Sequence, residues 1–470
     1  MSADQSNNRA STSLDPSTAE LQSLVQRLDP AKLVKGEGKA KALLIGCYKS
    51  GQERQACEDH LDELAGLCDT FGLEPLQRLA CPLRAIDAST YLGSGKVEEI
   101  AALVREQCLD LCVMDEEILP SQQRNLERSL RVPVLDRAEV ILGVFAQRAQ
   151  TKEARLQVEL AQAKLQLPRL RRLWTHLGRQ SGGGGGPQRG EGEKQIELDK
   201  RMLRSRIERL EREMKKVQQH RAVQRAARER HGPPSFAIVG YTNAGKSTLI
   251  NALTDAGVLA EDKLFATLDT TTRKFTLPNH QDILLTDTVG FIRKLPHQLI
   301  EAFRSTLEEA LFSDILIHVV DASHPDAVNQ ANTTIDVIKQ LGGADKPMLT
   351  VLNKVDLPAA ANNVTRLRLM LPRCLQISAL NKTGFEDLFE AIEMSISSLR
   401  TLLKLRIPLT DYAAISKIHQ EHGQIVSQIY EDSDVLVECE VPKAAAMQWQ
   451  QYLAAGQEGL ESPPKDPWDD

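Results

Sequence analysis

Gly240-Tyr241-Thr242-Asn243-Ala244-Gly245-Lys246-Ser247 follows the apolar run Phe236-Ala237-Ile238-Val239 and leads into the helix-forming Ser247-Thr248-Leu249-Ile250-Asn251-Ala252-Leu253. A buried strand, a tight glycine turn and a helix start make a cradle whose backbone N–H groups and positive helix end face an anion. In such a P-loop Lys246 reaches the β- and γ-phosphates of a nucleotide, and Ser247 offers its hydroxyl to Mg²⁺. The flanking strand and helix distinguish this pattern from a plain glycine turn.

Asn353-Lys354-Val355-Asp356 ends the apolar run Met348-Leu349-Thr350-Val351-Leu352, where an α/β sheet presents its loops to ligand. A carboxylate at Asp356 accepts from both N1–H and the exocyclic amine of guanine. Adenine offers no such pair. Charge-assisted hydrogen bonds of roughly 1.5–3 kcal/mol each turn that difference into a preference for GTP over ATP. Asn353 is expected to brace the P-loop and Lys354 to cover the base. Ser378-Ala379-Leu380, after the run Leu375-Gln376-Ile377, supplies a second base-contact loop.

Two segments between these motifs are placed to sense the γ-phosphate. Asp287-Thr288-Val289-Gly290 closes the run Ile283-Leu284-Leu285-Thr286, putting Asp287 near Mg²⁺ through water and the Gly290 N–H on the γ-phosphate. Phe265-Ala266-Thr267-Leu268-Asp269-Thr270-Thr271-Thr272-Arg273 is the other segment, where a threonine hydroxyl reaches Mg²⁺ only while GTP is bound. On the residues alone, Thr267, Thr270, Thr271 and Thr272 all remain open for that role.

Phe291 occupies the position at which signalling GTPases carry the glutamine that orients the attacking water. A phenyl ring cannot do this, so hydrolysis needs a partner, another switch residue or a cation. Asn243 resembles the P-loop asparagine through which cation-dependent GTPases hold K⁺. Equally, it could bond only within its own loop. The residues expected to serve hydrolysis are Lys246, Thr267, Gly290 and Asn243, with an intrinsic rate on the order of 10⁻⁴ to 10⁻² per second in the absence of a partner.

The elements around these motifs are read from pattern. The chain has 470 residues, 41% of them hydrophobic and 26% charged, with a net charge of −6, which suits a soluble multidomain protein. No apolar run approaches the roughly 18 residues of a membrane span, and Met1-Ser2-Ala3-Asp4-Gln5 starts no signal peptide, so a cytoplasmic location is expected. The eight cysteines form no metal-spaced set and are expected to be reduced. Residues 1–40 read as a polar, mostly unstructured tail.

Residues 41–145 alternate strand-like runs, Ala42–Gly46, Leu111–Asp115 and Val132–Leu135, with helical faces around His60–Leu67 and Gln122–Leu130. Within them Gly93-Ser94-Gly95-Lys96 opens a helix, and a second nucleotide site there is an open question. Residues 146–231 hold two long apolar seams, Leu156, Leu160, Ala163, Leu167, Leu170, Trp174, Leu177 and then Leu203, Ile207, Leu210, Met214, Val217. Ser181–Gly192, rich in glycine, is expected to be a non-helical tip between antiparallel arms, and Pro168 to kink the first.

The second arm is strongly basic, including Lys200, Arg201, Arg204, Arg206, Arg209, Arg212, Lys215 and Lys216. In an acidic chain that asymmetry points to a polyanion such as RNA, against a solvated face of internal ion pairs. Residues 232–400 form the P-loop domain, 401–457 a small α+β unit and 458–470 an acidic tail. The fold class is α/β: a P-loop GTPase domain preceded by a small parallel α/β domain and a long antiparallel helical hairpin, and followed by a small α+β domain.

These residues resemble the ribosome-associated GTPase HflX family. The resemblance is carried by the P-loop string Gly240–Thr248, Phe265–Asp269, the run Asp287–His297, Gln157–Gln162 and Trp174–Leu177, with Asn125–Arg128 and Phe145–Arg148 as further positions, over roughly residues 41–440. It implies a cytoplasmic GTPase, monomeric, that binds the large ribosomal subunit and its RNA and splits or rescues stalled or stress-damaged ribosomes. It also implies a GTP site at Gly240–Ser247, Phe265–Asp269, Asp287–Gly290, Asn353–Asp356 and Ser378–Leu380, with Mg²⁺ on Ser247 and Thr267. At the hairpin tip, Arg189-Gly190-Glu191-Gly192-Glu193-Lys194-Gln195-Ile196-Glu197 replaces the usual Arg-Gly-Pro-Gly-Glu-Thr/Ser-Gln-Leu-Glu. Two other readings of the chain are a GTPase of tRNA modification or ribosome assembly, and an RNA-binding scaffold with a structural nucleotide.

Overall fold

The structure is a computed structural model that describes residues 38–172, 189–231 and 233–454, apart from 255–263, 266, 269, 295, 297, 298, 300, 302, 372, 412, 421, 422 and 432. Residues 1–37 of the expected N-terminal tail and all of the C-terminal one lie outside these residues, as do Ser181–Gln188, Trp174 and Leu177; of the N-terminal tail, Ala40 is buried and Lys39 pairs with Asp69 at 2.9 Å. The chain divides into two compact units, the first Met1–Arg212 with Pro296–Leu299 and the second Glu213–Leu295 with Ile300–Asp470.

The first unit holds four parallel strands, β1 Lys41–Tyr48, β2 Glu74–Pro82, β3 Leu111–Met114 and β4 Val134–Asp136, in the order β2-β1-β3-β4. Its helices are α1 Arg54–Phe71, α2 Ser94–Glu106, α3 Pro120–Leu130 and α4 Arg137–Arg148. β3 and β4 are buried throughout and β1 nearly so, which explains their near-continuous apolar sequence. β2 lies at an edge, alternates exposed with partly buried residues from Glu74 to Leu79 and carries Pro75 and Pro82 at its ends, so its weak pattern escaped the sequence reading. α4 starts on a reciprocal cap: Glu139 N–H donates to Asp136 Oδ1 at 2.9 Å, and Asp136 N–H donates to Glu139 Oε2 at 3.1 Å.

Two long helices follow, α5 Lys152–Arg172 and α6 Arg189–His231. Ala163 and Leu167 on α5 pack with Leu203 and Ile207 on α6, the seam read from the sequence. Arg206 pairs with Glu159 at 3.2 Å and Lys164 with Glu211 at 3.1 Å. α5 continues through Pro168, since a missing N–H removes one bond and need not end a helix. One expectation changes here. α6 begins at Arg189, so Arg189–Gly192 are helical rather than part of a tip loop. The helix formers from Glu193 to Met202 extend the helix back over Gly190 and Gly192, each of which costs about 1 kcal/mol.

In the second unit a six-stranded sheet runs β10-β9-β8-β5-β7-β6. β5 is Ser235–Gly240, β6 Thr271–Thr276, β7 Asp282–Asp287, β8 Ile315–Asp321, β9 Met348–Asn353 and β10 Cys374–Gln376. Only β6, at the edge, is antiparallel to its neighbour. Helices α7 Lys246–Thr254, α8 Arg304–Leu311, α9 Ala327–Gln340, α10 Ala360–Met370 and α11 Phe385–Ser398 accompany the sheet. Phe236, Ile238, Leu285, Ile317 and Val351 share one core with Leu249, Leu388 and Ile392. The carboxyl ends of β5, β7, β8 and β9 therefore open on one edge of the sheet, where crossovers leave room for ligand.

The same unit ends in a three-stranded antiparallel sheet, β11 Arg400–Pro408, β12 Gln424–Tyr430 and β13 Asp434–Pro442, ordered β11-β13-β12. Helix α12 Ala413–Gln420 and the turn-rich Lys443–Tyr452 cover it through Ile418 and Trp449. Among the described residues no helix is long and apolar enough to cross a membrane. Five cysteines, Cys57, Cys68, Cys81, Cys112 and Cys439, are buried, and burial pushes the Cys112 and Cys439 thiols up to about 12.

Candidate nucleotide site

β5 delivers the chain into the turn Tyr241–Gly245, and α7 takes over at Lys246. Asn243 adopts a left-handed backbone at φ 59°, a conformation asparagine tolerates better than most residues. Gly245 sits at φ 92°, and a Cβ there would lie 2.2 Å from Asn353 Nδ2, so only glycine fits. The close approach serves a bond. Asn353 Nδ2 donates to Ala244 O at 2.9 Å, while its Oδ1 accepts from Ala379 N–H at 2.9 Å. One buried amide thus ties the P-loop to the Ser378–Leu380 loop.

Lys246 is almost fully buried and donates to Tyr241 O at 2.7 Å. Burial pushes its ammonium down to about 8, with the Asp287 charge pulling the other way. Asp287 ends β7 in full burial, and its carboxyl is raised, chiefly by desolvation and against the pull of Lys246 and the hydroxyls. The Ser247 hydroxyl donates to Asp287 Oδ2 at 3.1 Å and Thr267 Oγ1 donates to the same oxygen at 2.9 Å, with 3.0 Å between the two hydroxyls. Asp287 Oδ1 is buried with no hydrogen-bond partner among the described atoms. Two hydroxyls around a carboxylate with a spare oxygen fit a hard divalent cation that keeps some of its own water.

Three of the four open threonines can be told apart. Thr267 stands with Ser247 and Asp287. Thr272 lies in β6, its Oγ1 2.9 Å from Thr286 Oγ1, and Thr271 begins the same strand. Phe265 and Leu268, 2% and 4% exposed, are anchored on either side of Thr267, while Ala266 and Asp269 lie outside the described residues. Thr288 donates to Ile238 O at 2.6 Å and Val289 is buried.

Phe291 is 1% exposed and bridges to Tyr241 as a short parallel pair. This buried phenyl ring carries no group that could orient an attacking water. On the base side, Lys354 at φ 63° directs Nζ to Asp321 Oδ2 at 2.6 Å, and Val355 N–H donates to Ile377 O at 3.3 Å. Asp356 is exposed, Leu380 is 76% exposed and Ser378 is buried, so the loop pair leaves the Asp356 carboxylate open.

Sequence reasoning missed three residues. Asp321 lies beside Asn353 in the β8–β9 register and closes β8 as Asn353 closes β9, a positional signal that was available. His318, fully buried on β8, has no partner for either ring nitrogen among the described atoms, and desolvation, helped by Lys246, holds it down at about 4. The Tyr241 hydroxyl accepts from Arg293 N–H at 2.9 Å, which no spacing rule would reveal.

This geometry agrees with three family models. Residues 58–146 match a GTP-binding GTPase N-terminal region, 148–228 a GTP-binding GTPase middle region, and 235–354 a model described as 50S ribosome-binding GTPase. GTPase HflX of Chlamydia pneumoniae is 45% identical over 423 residues, 89% of each chain. The chain belongs to the HflX GTPase family. GTPase HflX of Lacrimispora saccharolytica is 44% identical over 85% of this chain and 93% of its own, and that of Akkermansia muciniphila 45% over 88% and 97%. A GTP-binding protein of Sulfolobus solfataricus, crystallised with GDP, is 26% identical over 77% of this chain and 99% of its own, with a TM-score of 0.41. That superposition is loose. This member of the HflX family is a GTP hydrolase, with its P-loop in the region matched by the GTPase model.

Proposed function

We propose that this chain is a GTP-dependent switch that docks on the large ribosomal subunit and couples nucleotide turnover to splitting or rescuing stalled ribosomes. Lys246 holds the β- and γ-phosphates, the Gly290 N–H meets the γ-phosphate, and the exposed Asp356 reads guanine. Ser247 and Thr267 would hold Mg²⁺ directly and Asp287 through water; when bound, the ion offsets phosphate charge. Thr267 stands against Ser247 and Asp287, so an ion held there would tie its segment to the γ-phosphate, which makes that segment the sensor. Asn243 is the candidate donor for K⁺, and equal GTPase rates in K⁺ and Na⁺ buffers would remove that role.

The observation that carries ribosome docking is the face of α6. Arg201, Arg204, Arg209, Arg212, Lys215 and Lys216 are all exposed on one helix of a chain whose net charge is −6. A polyanion is the ligand such a stripe fits. The buried Phe291 supports the same reading, because it leaves the water-orienting role to something outside this chain's own switch. Sucrose-gradient sedimentation with GTP, GDP and a non-hydrolysable analogue tests it. Co-migration with large subunits in the analogue and its loss in GDP are expected; no co-migration in any nucleotide would end the proposal.

A further inference from the structure

Three hydrogen bonds join the P-loop to the segment after Gly290. Phe291 N–H donates to Gly240 O at 3.0 Å, Thr242 N–H donates to Phe291 O at 2.8 Å, and Arg293 N–H donates to the Tyr241 hydroxyl at 2.9 Å. The first two are backbone bonds that any sequence could make. Only the third depends on a side chain. Tyr241 is 4% exposed, so its ring is packed and its hydroxyl is fixed in place. Gly290 lies just before this strip and close over the cradle: a Cβ there would sit 2.9 Å from Lys246 Nζ and 2.8 Å from Thr242 Cγ2.

We propose that Tyr241 is a positioning residue for hydrolysis, its hydroxyl clamping the far end of the strip so that Gly290 N–H stays aimed at the γ-phosphate. The strip is held at Phe291 by backbone and at Arg293 by the phenol. Removing the phenol oxygen takes away the side-chain tie at Arg293 and leaves the Phe291 backbone bonds as the hydrogen-bonded hold next to Gly290, loosening its alignment. The phosphate cradle itself is untouched, because Lys246 bonds the Tyr241 carbonyl and not its ring. Loss of the clamp therefore acts on turnover and not on nucleotide affinity. In a site whose own switch side chain cannot orient water, the alignment of the Gly290 N–H is a large part of what the chain contributes unaided.

The inference rests on Gly290 as the γ-phosphate donor and not on ribosome docking, so intrinsic GTP hydrolysis by the full chain tests it. Tyr241→Phe keeps the ring and removes the acceptor. It should lower kcat roughly three- to tenfold, the scale of one hydrogen bond, with KM for GTP and Kd for GDP within about twofold. Amide exchange at Arg293 should quicken by a similar factor while that at Phe291 does not. Arg293→Pro deletes the donor instead, and Tyr241→Phe combined with it should be no slower than the slower single variant. An unchanged kcat in Tyr241→Phe, or a loss matched by equal loss of GDP affinity, overturns the proposal. The Gly290→Pro variant, which deletes the N–H, separates the two levels: inactivity there beside a fully active Tyr241→Phe rejects the clamp alone, whereas full activity in Gly290→Pro rejects the donor role beneath it.

Discussion

Thr267 Oγ1 and Ser247 Oγ converge on one oxygen of Asp287, at 2.9 and 3.1 Å, although 20 residues separate the two hydroxyls in the chain. Ser247 is fixed by α7 and Asp287 by β7, so Thr267 is the member that can leave. Thr267→Ala should reduce affinity for a non-hydrolysable GTP analogue by about tenfold or more, the scale of a hydrogen bond to a charged group, and leave GDP affinity unchanged. Thr272→Ala should change neither. Calorimetric titration of both variants with both nucleotides checks this, and equal losses for GDP and analogue would show that Thr267 supports the fold and not the sensor.

Asn353 and Gly245 form a second dependent pair. Asn353→Ala strands the Ala244 carbonyl and the Ala379 N–H in a buried setting, each costing about 1–3 kcal/mol. The denaturant midpoint should fall by an amount equivalent to about 2 kcal/mol or more, and GDP and GTP should weaken together. Gly245→Ala should resemble it, since the new methyl group would displace the same amide. A variant that lost guanine affinity at full stability would mean that Asn353 acts on the base directly.

The nucleotide-free protein should also show an acid sensitivity traceable to His318. Its folded value of about 4 lies below the ordinary 6.5, so the unfolded chain binds a proton that the native one refuses between those two values. Stability is therefore lost as pH falls from 6.5 towards 4, and this group adds no further slope below that. At pH 5 the loss amounts to about 2 kcal/mol. His318→Leu should flatten this part of the profile, read from urea midpoints at pH 7 and pH 5. A slope unchanged in the variant would assign the sensitivity to other groups.

The strands β5, β7 and β9 were legible because each is a largely apolar run ending in a residue with chemistry to perform, Gly240, Asp287 and Asn353. Burial on both faces writes itself into composition. The choice among four threonines was not legible from the residues, because a loop has no period and its hydroxyls can face either way. What sets Thr267 apart is its place against Ser247 and Asp287. The Asp321–Lys354 ion pair and the Tyr241–Arg293 bond were hidden for a related reason: both join segments far apart in sequence, through atoms whose direction is set by packing. β2 failed to announce itself because an edge strand tolerates the prolines and charges that elsewhere argue against a strand. The start of α6 at Arg189 reflects cooperativity, in which a strong run of helix formers carries two glycines along.

The basic stripe of α6 makes the remaining prediction quantitative. Arg204, Arg209 and Lys216 are exposed on the helix, and Arg206, by contrast, is engaged with Glu159 at 3.2 Å. Changing Arg204, Arg209 and Lys216 to glutamine removes charge while keeping helix propensity. Binding to large subunits should weaken at every salt concentration, and the slope of log affinity against log salt should become shallower by about 0.7–0.9 for each lost phosphate contact. Intrinsic GTP hydrolysis should be unchanged, because none of the three residues belongs to the nucleotide site. A triple variant that binds with the original salt slope would show that α6 faces solvent in the complex, and the polyanion contact would then have to lie elsewhere on the chain.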